Sequence, residues 1–189
     1  MAEMLGSAAV IKRTPFDWLI CPPATAATMI STDRYYPEHV SELECRPDAP
    51  PRWPAVGDCY FWHEPKNVAS CPGSFSAKFA HISQTLRGVS VFKRRIFFVA
   101  NTQDNLADEV QSVAAVPYIF TDQAIDRLAA AVSQRFDAAL YVVSTPMRHE
   151  LTAPANLDRL LLMDITRGIR GSDSDWSAVF RTMLRRSTT

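Results

Sequence analysis

The sequence predicts an α/β protein: a mostly parallel sheet flanked by helices, with an irregular, proline-rich N-terminal third. Three observations carry this reading. Short runs of consecutive apolar residues recur in the second half without polar alternation, the pattern of strands covered on both faces. Between and after them, apolar residues recur every three or four positions, the stripe of amphipathic helices. Ten of the thirteen prolines fall within the first 72 residues, which disfavours long regular elements there.

In chain order, the first distinct segment is the irregular stretch from Cys45 to Asp58, CRPDAPPRWPAVGD, read as a loop. Phe75, Phe79, Ile82 and Leu86 then mark a helix, with Ser74 or Ser76 as its cap and Gly88 at its C-terminal end. Residues 95–100, RIFFVA, predict the first buried strand, and Asp104 a cap for a short helix running to about Val110. A second clear helix begins at Thr121-Asp122, presents Ile125, Leu128, Ala129 and Val132, and ends near Phe136. Residues 138–143, AALYVV, and 160–165, LLLMDI, predict two further strands. The last helix follows Ser172-Asp173-Ser174-Asp175 and presents Trp176, Val179, Phe180 and Leu184, with Arg181, Arg185 and Arg186 at the negative end of its dipole.

A chain of 189 residues fits one α/β domain spanning residues 1–189. Its 47% apolar and 21% charged content is that of a globular protein rather than a disordered or fibrous one. Twenty basic residues balance twenty acidic ones, so no net field draws the chain to nucleic acid or to an anionic membrane. Glu3, Lys12, Arg13 and Asp17 interrupt any apolar leader. A cytoplasmic location is therefore expected, with Cys21, Cys45, Cys59 and Cys71 as free thiols.

Parallel sheets hold ligands beyond the carboxyl ends of their strands. That rule nominates Asn101, Ser144, Thr145, Asp164 and Thr166, residue types that also serve as turn formers and helix caps. The segment 57–64, GDCYFWHE, concentrates reactive side chains; His63 is its candidate acid/base, against the alternative of a hydrogen-bonded histidine ending an aromatic core strand. Cys59, His63, Cys71 and His81 match no common zinc spacing, so no metal is expected. No Walker loop, dinucleotide-binding glycine turn, HExxH helix or nucleophile elbow occurs, so no cofactor is expected either. Arg87, Lys93, Arg94 and Arg95 form a local basic run, read as a solvated strand entry.

Residues 15–20, PFDWLI, resemble the PFDW signature of a bacterial family described as papain-like cysteine peptidases. Residues 61–64, FWHE, are similar to that family's aromatic-histidine element, residues 92–99 to its basic strand entry, and Asp175-Trp176 to its late acidic-tryptophan element. The resemblance implies an α/β fold and hydrolase-like chemistry, with His63 as acid/base and Asp17 as an orienting carboxylate. The family's strand, Leu-Gly-Ser-x-Cys turn and helix precede PFDW; here Leu5-Gly6-Ser7 runs into Ala8-Ala9-Val10, and the nucleophilic cysteine has no counterpart. Cys21 is the thiol nearest to PFDW in sequence and the candidate substitute nucleophile, with a buried, inert thiol as the alternative.

The resulting expectation is a hydrolase-like family member that is catalytically impaired, or a chain whose true start lies upstream and supplies the missing turn. The competing expectation is a non-catalytic module for a small-molecule, glycan, nucleotide-sugar or peptide ligand. Trp53 and Trp62 would then form a stacking surface, with Asn101, Ser144 and Asp164 as polar contacts.

Overall fold

The structure, a computed structural model, describes residues 14–47, 49–62, 64, 72–93, 95–102, 119–163 and 173–187. Its backbone contacts divide into two compact units, one over Lys12–Lys93 and one containing Arg94–Thr189.

The unit from Arg94 onward carries the predicted parallel sheet. Strands β3 (Ile96–Asn101), β5 (Ala139–Ser144) and β7 (Leu160–Leu162) pair in the order β3-β5-β7, both pairs parallel. β5 is the central strand, and Leu140 to Ser144 are all buried. On one face Tyr141, Val143, Leu161 and Met163 pack with Val179, Phe180 and Met183 of helix α5 (Asp173–Arg186). On the other, Val142 packs with Phe120, Leu151 and Ile125 of helix α3 (Asp122–Phe136), and Phe97 stacks on Phe136 at 4.8 Å. Unbroken apolar strands are thus required here, because each alternate side chain meets a helix layer. Full burial of a side chain such as Val143 contributes about 1.5–3 kcal/mol.

Local chemistry explains the helix limits. Thr121 caps α3 by accepting from the Ala124 N–H at 3.4 Å, and the helix closes on Asp137 in the left-handed region at φ 47°. A short helix absent from the sequence reading, α4 (Pro154–Arg159), leads into β7. Asp122 holds its start, accepting from the Thr152 N–H, the Thr152 hydroxyl, the Ala153 N–H and the Asn156 amide at 2.7–3.0 Å. The Asn156 and Thr152 side-chain bonds, then the backbone bonds, hold its carboxyl well below the usual range. Two-residue strands β4 (Phe120–Thr121) and β6 (His149–Glu150) add a second parallel ladder. In α5 the buried aliphatic residue near the end is Met183, whereas Leu184 is 39% exposed, one position off the predicted stripe. The predicted helix from Asp104 lies outside the described residues, as does the predicted third strand beyond Met163.

The unit over Lys12–Lys93 is more regular than its prolines suggest. Helix α1 (Pro23–Thr32) starts with proline at its first position, where a missing N–H costs nothing. It buries Thr25, Ala26, Ala27, Met29 and Ile30 around much of its circumference, so it shows no stripe to read. Within the predicted loop, β1 (Glu44–Arg46) and β2 (Ala49–Arg52) form an antiparallel pair, followed by a 3-10 turn at Pro54–Val56. Gly57 leaves that turn at φ 111°, a conformation that favours glycine, and a Cβ there would crowd the Thr25 hydroxyl oxygen at 3.0 Å. Helix α2 (Pro72–Arg87) begins at Pro72, which places Ser74 and Ser76 inside its first turns rather than at the cap. Its end tightens into a 3-10 turn at Gly88–Val91, and Gly88 is not in the left-handed conformation expected of a terminator. Phe75 and Phe79 of α2 meet Phe61 with all three ring centroids 4.8–5.0 Å apart.

Candidate functional site

The PFDW residues form a 3-10 turn, Pro15–Trp18, after Thr14. Pro15 fixes φ at the first position, and the Asp17 carboxylate accepts from both the Thr14 N–H and hydroxyl. Asp17, the orienting carboxylate implied by the resemblance, is exposed and caps this turn. The turn delivers Ile20 to Tyr60: each N–H donates to the other's carbonyl, at 2.9 and 3.0 Å. This antiparallel bridge places Cys21 across from Cys59. The Cys59 carbonyl accepts from the Trp53 N–H at 2.8 Å, on the side away from Ile20, so the two cysteines face each other as a pair without backbone hydrogen bonds between them.

Cys21 is half-buried and Cys59 fully buried. The Cys21 thiol donates to the Pro22 carbonyl at 3.7 Å and lies 3.8 Å from Sδ of the buried Met29. A hydrogen bond with Cys59, then burial, then the charge of a Cys59 thiolate push the Cys21 thiol well above its ordinary pKa. Such a thiol is protonated at neutral pH and is a poor nucleophile. The sequence marked Cys21 and Cys59 separately; their meeting depends on a bridge between segments forty positions apart, Ile20 and Tyr60.

Beyond the bridge, Trp62 is half-buried and His63 lies outside the described residues. Glu64, its side chain only 10% exposed, pairs with Lys78 of α2. Trp53 is fully buried: its indole N–H donates to Glu42 at 3.4 Å, and the Arg34 guanidinium sits 5.2 Å from its ring centroid. Glu42 also accepts from Arg34 at 2.8 Å and from the backbone N–H groups of His39 and Glu38. The His39 bond contributes most to holding its carboxyl below the usual range. Trp53 is therefore a core residue and cannot offer a stacking face.

In the other unit, Asn101 and Ser144 are register partners at the carboxyl ends of β3 and β5. Both are buried, as are the following Thr102 and Thr145. The Asn101 amide donates to the Arg148 carbonyl at 3.3 Å, and the Ser144 hydroxyl to the Thr145 carbonyl at 3.2 Å. These polar groups brace the turn after β5. Asp164 and Thr166 lie outside the described residues. A cleft of about 190 Å³ lies between β7 and α5, lined by Leu161, Leu162, Met163, Asp175, Ala178, Val179 and Thr182. Of its lining, the sequence marked Leu161, Leu162, Met163 and Val179 as strand and helix core and Asp175 beside Trp176.

Among the described residues, no three His, Cys, Asp or Glu side chains converge as metal ligands; His81 is exposed on α2 whereas Cys59 is buried. None of the described helices is long and apolar enough to cross a membrane. Fold and site together define an α/β protein with a parallel three-stranded sheet and, in its other unit, two facing cysteines beside the PFDW turn. No protein-family model, curated protein sequence or solved structure matches the chain.

Proposed function

We propose that the chain is a hydrolase-like protein of the papain-like cysteine peptidase type whose thiol chemistry is impaired, leaving ligand binding as its working role. The observation that carries this is the Ile20–Tyr60 bridge. It sets the PFDW turn beside the segment entering Phe61-Trp62-His63-Glu64, the two stretches on which the resemblance rests. The thiol found there, Cys21, has its pKa raised rather than lowered, the opposite of an activated nucleophile. His63 keeps its proposed acid/base role toward a peptide or glycan bound along this segment. Native protein treated with a thiol-directed probe at neutral pH should show no cysteine that labels faster folded than denatured. Rapid fold-dependent labelling of Cys21, together with thiol-dependent peptide hydrolysis abolished by His63→Ala, would overturn the reading.

A second reading places a small polar ligand, such as a nucleotide-sugar, at the carboxyl ends of the parallel strands. Its support is the adjacency of Asn101 and Ser144 at the position where such sheets hold ligands. Saturation-transfer NMR with a nucleotide-sugar panel tests it; signals lost in Asn101→Ala while the variant stays folded would favour it, and an empty panel would count against it.

A further inference from the structure

We infer that Cys21 and Cys59 form a thiol–disulfide exchange site, a dithiol that low-molecular-weight disulfides oxidise to an intramolecular cross-strand bridge. This goes beyond the hydrolase-like reading and does not depend on it, because it needs only the pairing of the two strands.

The backbone supplies the geometry. Ile20 and Tyr60 exchange both of their hydrogen bonds in an isolated antiparallel bridge, so the adjoining positions Cys21 and Cys59 stand opposite each other as a non-hydrogen-bonded pair would. Side chains of such a pair project from the same face, with Cα atoms about 4.5 Å apart. That separation falls within the roughly 4.4–6.8 Å spanned by disulfides. The nearness of Cys59 is also the first cause that raises the pKa of the Cys21 thiol. Rigid neighbours hold both ends. Cys21 is followed by Pro22 and Pro23, the latter starting α1, and the Cys59 carbonyl is tied to Trp53.

Exposure assigns the roles. Cys21 is half-buried, whereas Cys59 has no exposed surface, so Cys21 is the one of the pair nearer to solvent. The Cys21 thiolate attacks one sulfur of the small disulfide RSSR; the S–S bond breaks, and one RS⁻ leaves and takes up a proton. Cys59 then attacks the Cys21 sulfur of the mixed disulfide, breaking its S–S bond, and the proton of the Cys59 thiol passes to the second RS⁻ as it leaves. In sum, two protein thiols and one RSSR become one protein disulfide and two RSH, with two electrons passing from the protein sulfurs to the reagent. Because the attacking species is the thiolate, exchange is slow at neutral pH and quickens as pH rises.

The test uses the full chain with oxidised glutathione as the probe, at mildly alkaline pH, followed by alkylation and non-reducing peptide mapping. The expected product has lost two hydrogens and yields one cross-linked species joining the Cys21 and Cys59 peptides. Exposed Cys45 reports ordinary glutathionylation in the same sample. Cys59→Ser should stop at the mixed disulfide on Cys21, and dithiothreitol should reverse both products. Closing the long loop between positions 21 and 59 should raise the thermal midpoint by roughly 5–15 °C. A folded protein that gives only Cys45 adducts after prolonged oxidation, or a cross-link joining either cysteine to a different thiol, overturns the inference. A negative result here with an unlabelled thiol in the neutral-pH probe experiment leaves the impaired-hydrolase reading standing, so the two fail separately.

Discussion

Replacing Trp53 by phenylalanine tests whether this indole is a structural post or a surface for ligands. The indole N–H donates to the Glu42 carboxylate at 3.4 Å, and its ring carries the Arg34 guanidinium at 5.2 Å. A hydrogen bond to a charged group contributes about 1.5–3 kcal/mol, and at this length the lower figure applies. Phenylalanine retains part of the cation–π attraction, so about 0.5 kcal/mol of that is lost. The smaller ring also leaves a void at a fully buried site, costing about 1 kcal/mol more. The sum is about 3 kcal/mol. With a urea dependence of about 2–3 kcal/mol per molar, the far-UV circular dichroism midpoint should fall by roughly 1–1.5 M. Glu42→Gln combined with Trp53→Phe should destabilise by about 1 kcal/mol less than the two single changes added, because both remove one interaction. A Trp53→Phe shift below about 0.5 kcal/mol, or additive effects in the double variant, would refute this account of the core.

Asp122→Asn should flatten the acid limb of the stability profile. The folded carboxyl titrates below its unfolded value, so its contribution is complete above about pH 4 and is lost as pH falls through the folded pKa. Urea midpoints measured between about pH 5 and pH 2 check this, and parallel acid limbs for variant and wild type would contradict it. Phe79→Ala, at the centre of the Phe61–Phe75–Phe79 cluster, should cost about 3–5 kcal/mol in chemical denaturation. Asn101→Ala removes one of two donors to the Arg148 carbonyl, which keeps the Phe120 N–H at 3.0 Å, and should cost about 0.5–1.5 kcal/mol by the same assay. Asp137→Gly relieves the left-handed C-cap of α3 and should stabilise by about 0.5–1 kcal/mol, since the Arg95 partner bonds an aspartate side chain that is 98% exposed; an unchanged thermal midpoint would show that no strain resides there.

The parallel sheet was legible because its signals are local. Apolar runs such as Leu140–Val143 report two covered faces, and the stripe in α3 reports one. The N-terminal segment was not, for reasons its residues make clear. α1 buries several sides of a short Ala/Thr-rich helix, which erases periodicity, and β2 contains Pro50 and Pro51 yet pairs with β1. Proline lacks an N–H but not a carbonyl: the Pro51 carbonyl still accepts from the Phe61 N–H at 2.9 Å. Of the residues nominated for chemistry, Asn101 and Ser144 are neighbours, as the strand-end rule anticipates. Trp53, read beside Trp62 as a stacking partner, is in the core instead, because its indole N–H completes the shell of a carboxylate that nothing in the local sequence announces. The facing of Cys21 and Cys59 escaped for the same reason: register between distant segments has no periodic signature.

The β3–β5 ladder carries a kinetic consequence. Ile96 pairs with Ala139 and Asn101 with Ser144, so every bond of the central pairing closes a loop that contains the whole of α3. Such a loop must be ordered before the ladder returns any free energy, whereas α3 forms from contacts within its own turns. The helix should therefore consolidate early and the β3–β5 pairing late, with β5 searching for its partner while its Leu-Tyr-Val-Val run is still open to solvent. Nascent or heat-stressed chains are most vulnerable to association in that interval. A charged residue at Ala139, the exposed first position of β5, is where selection against aggregation would act without disturbing the finished core.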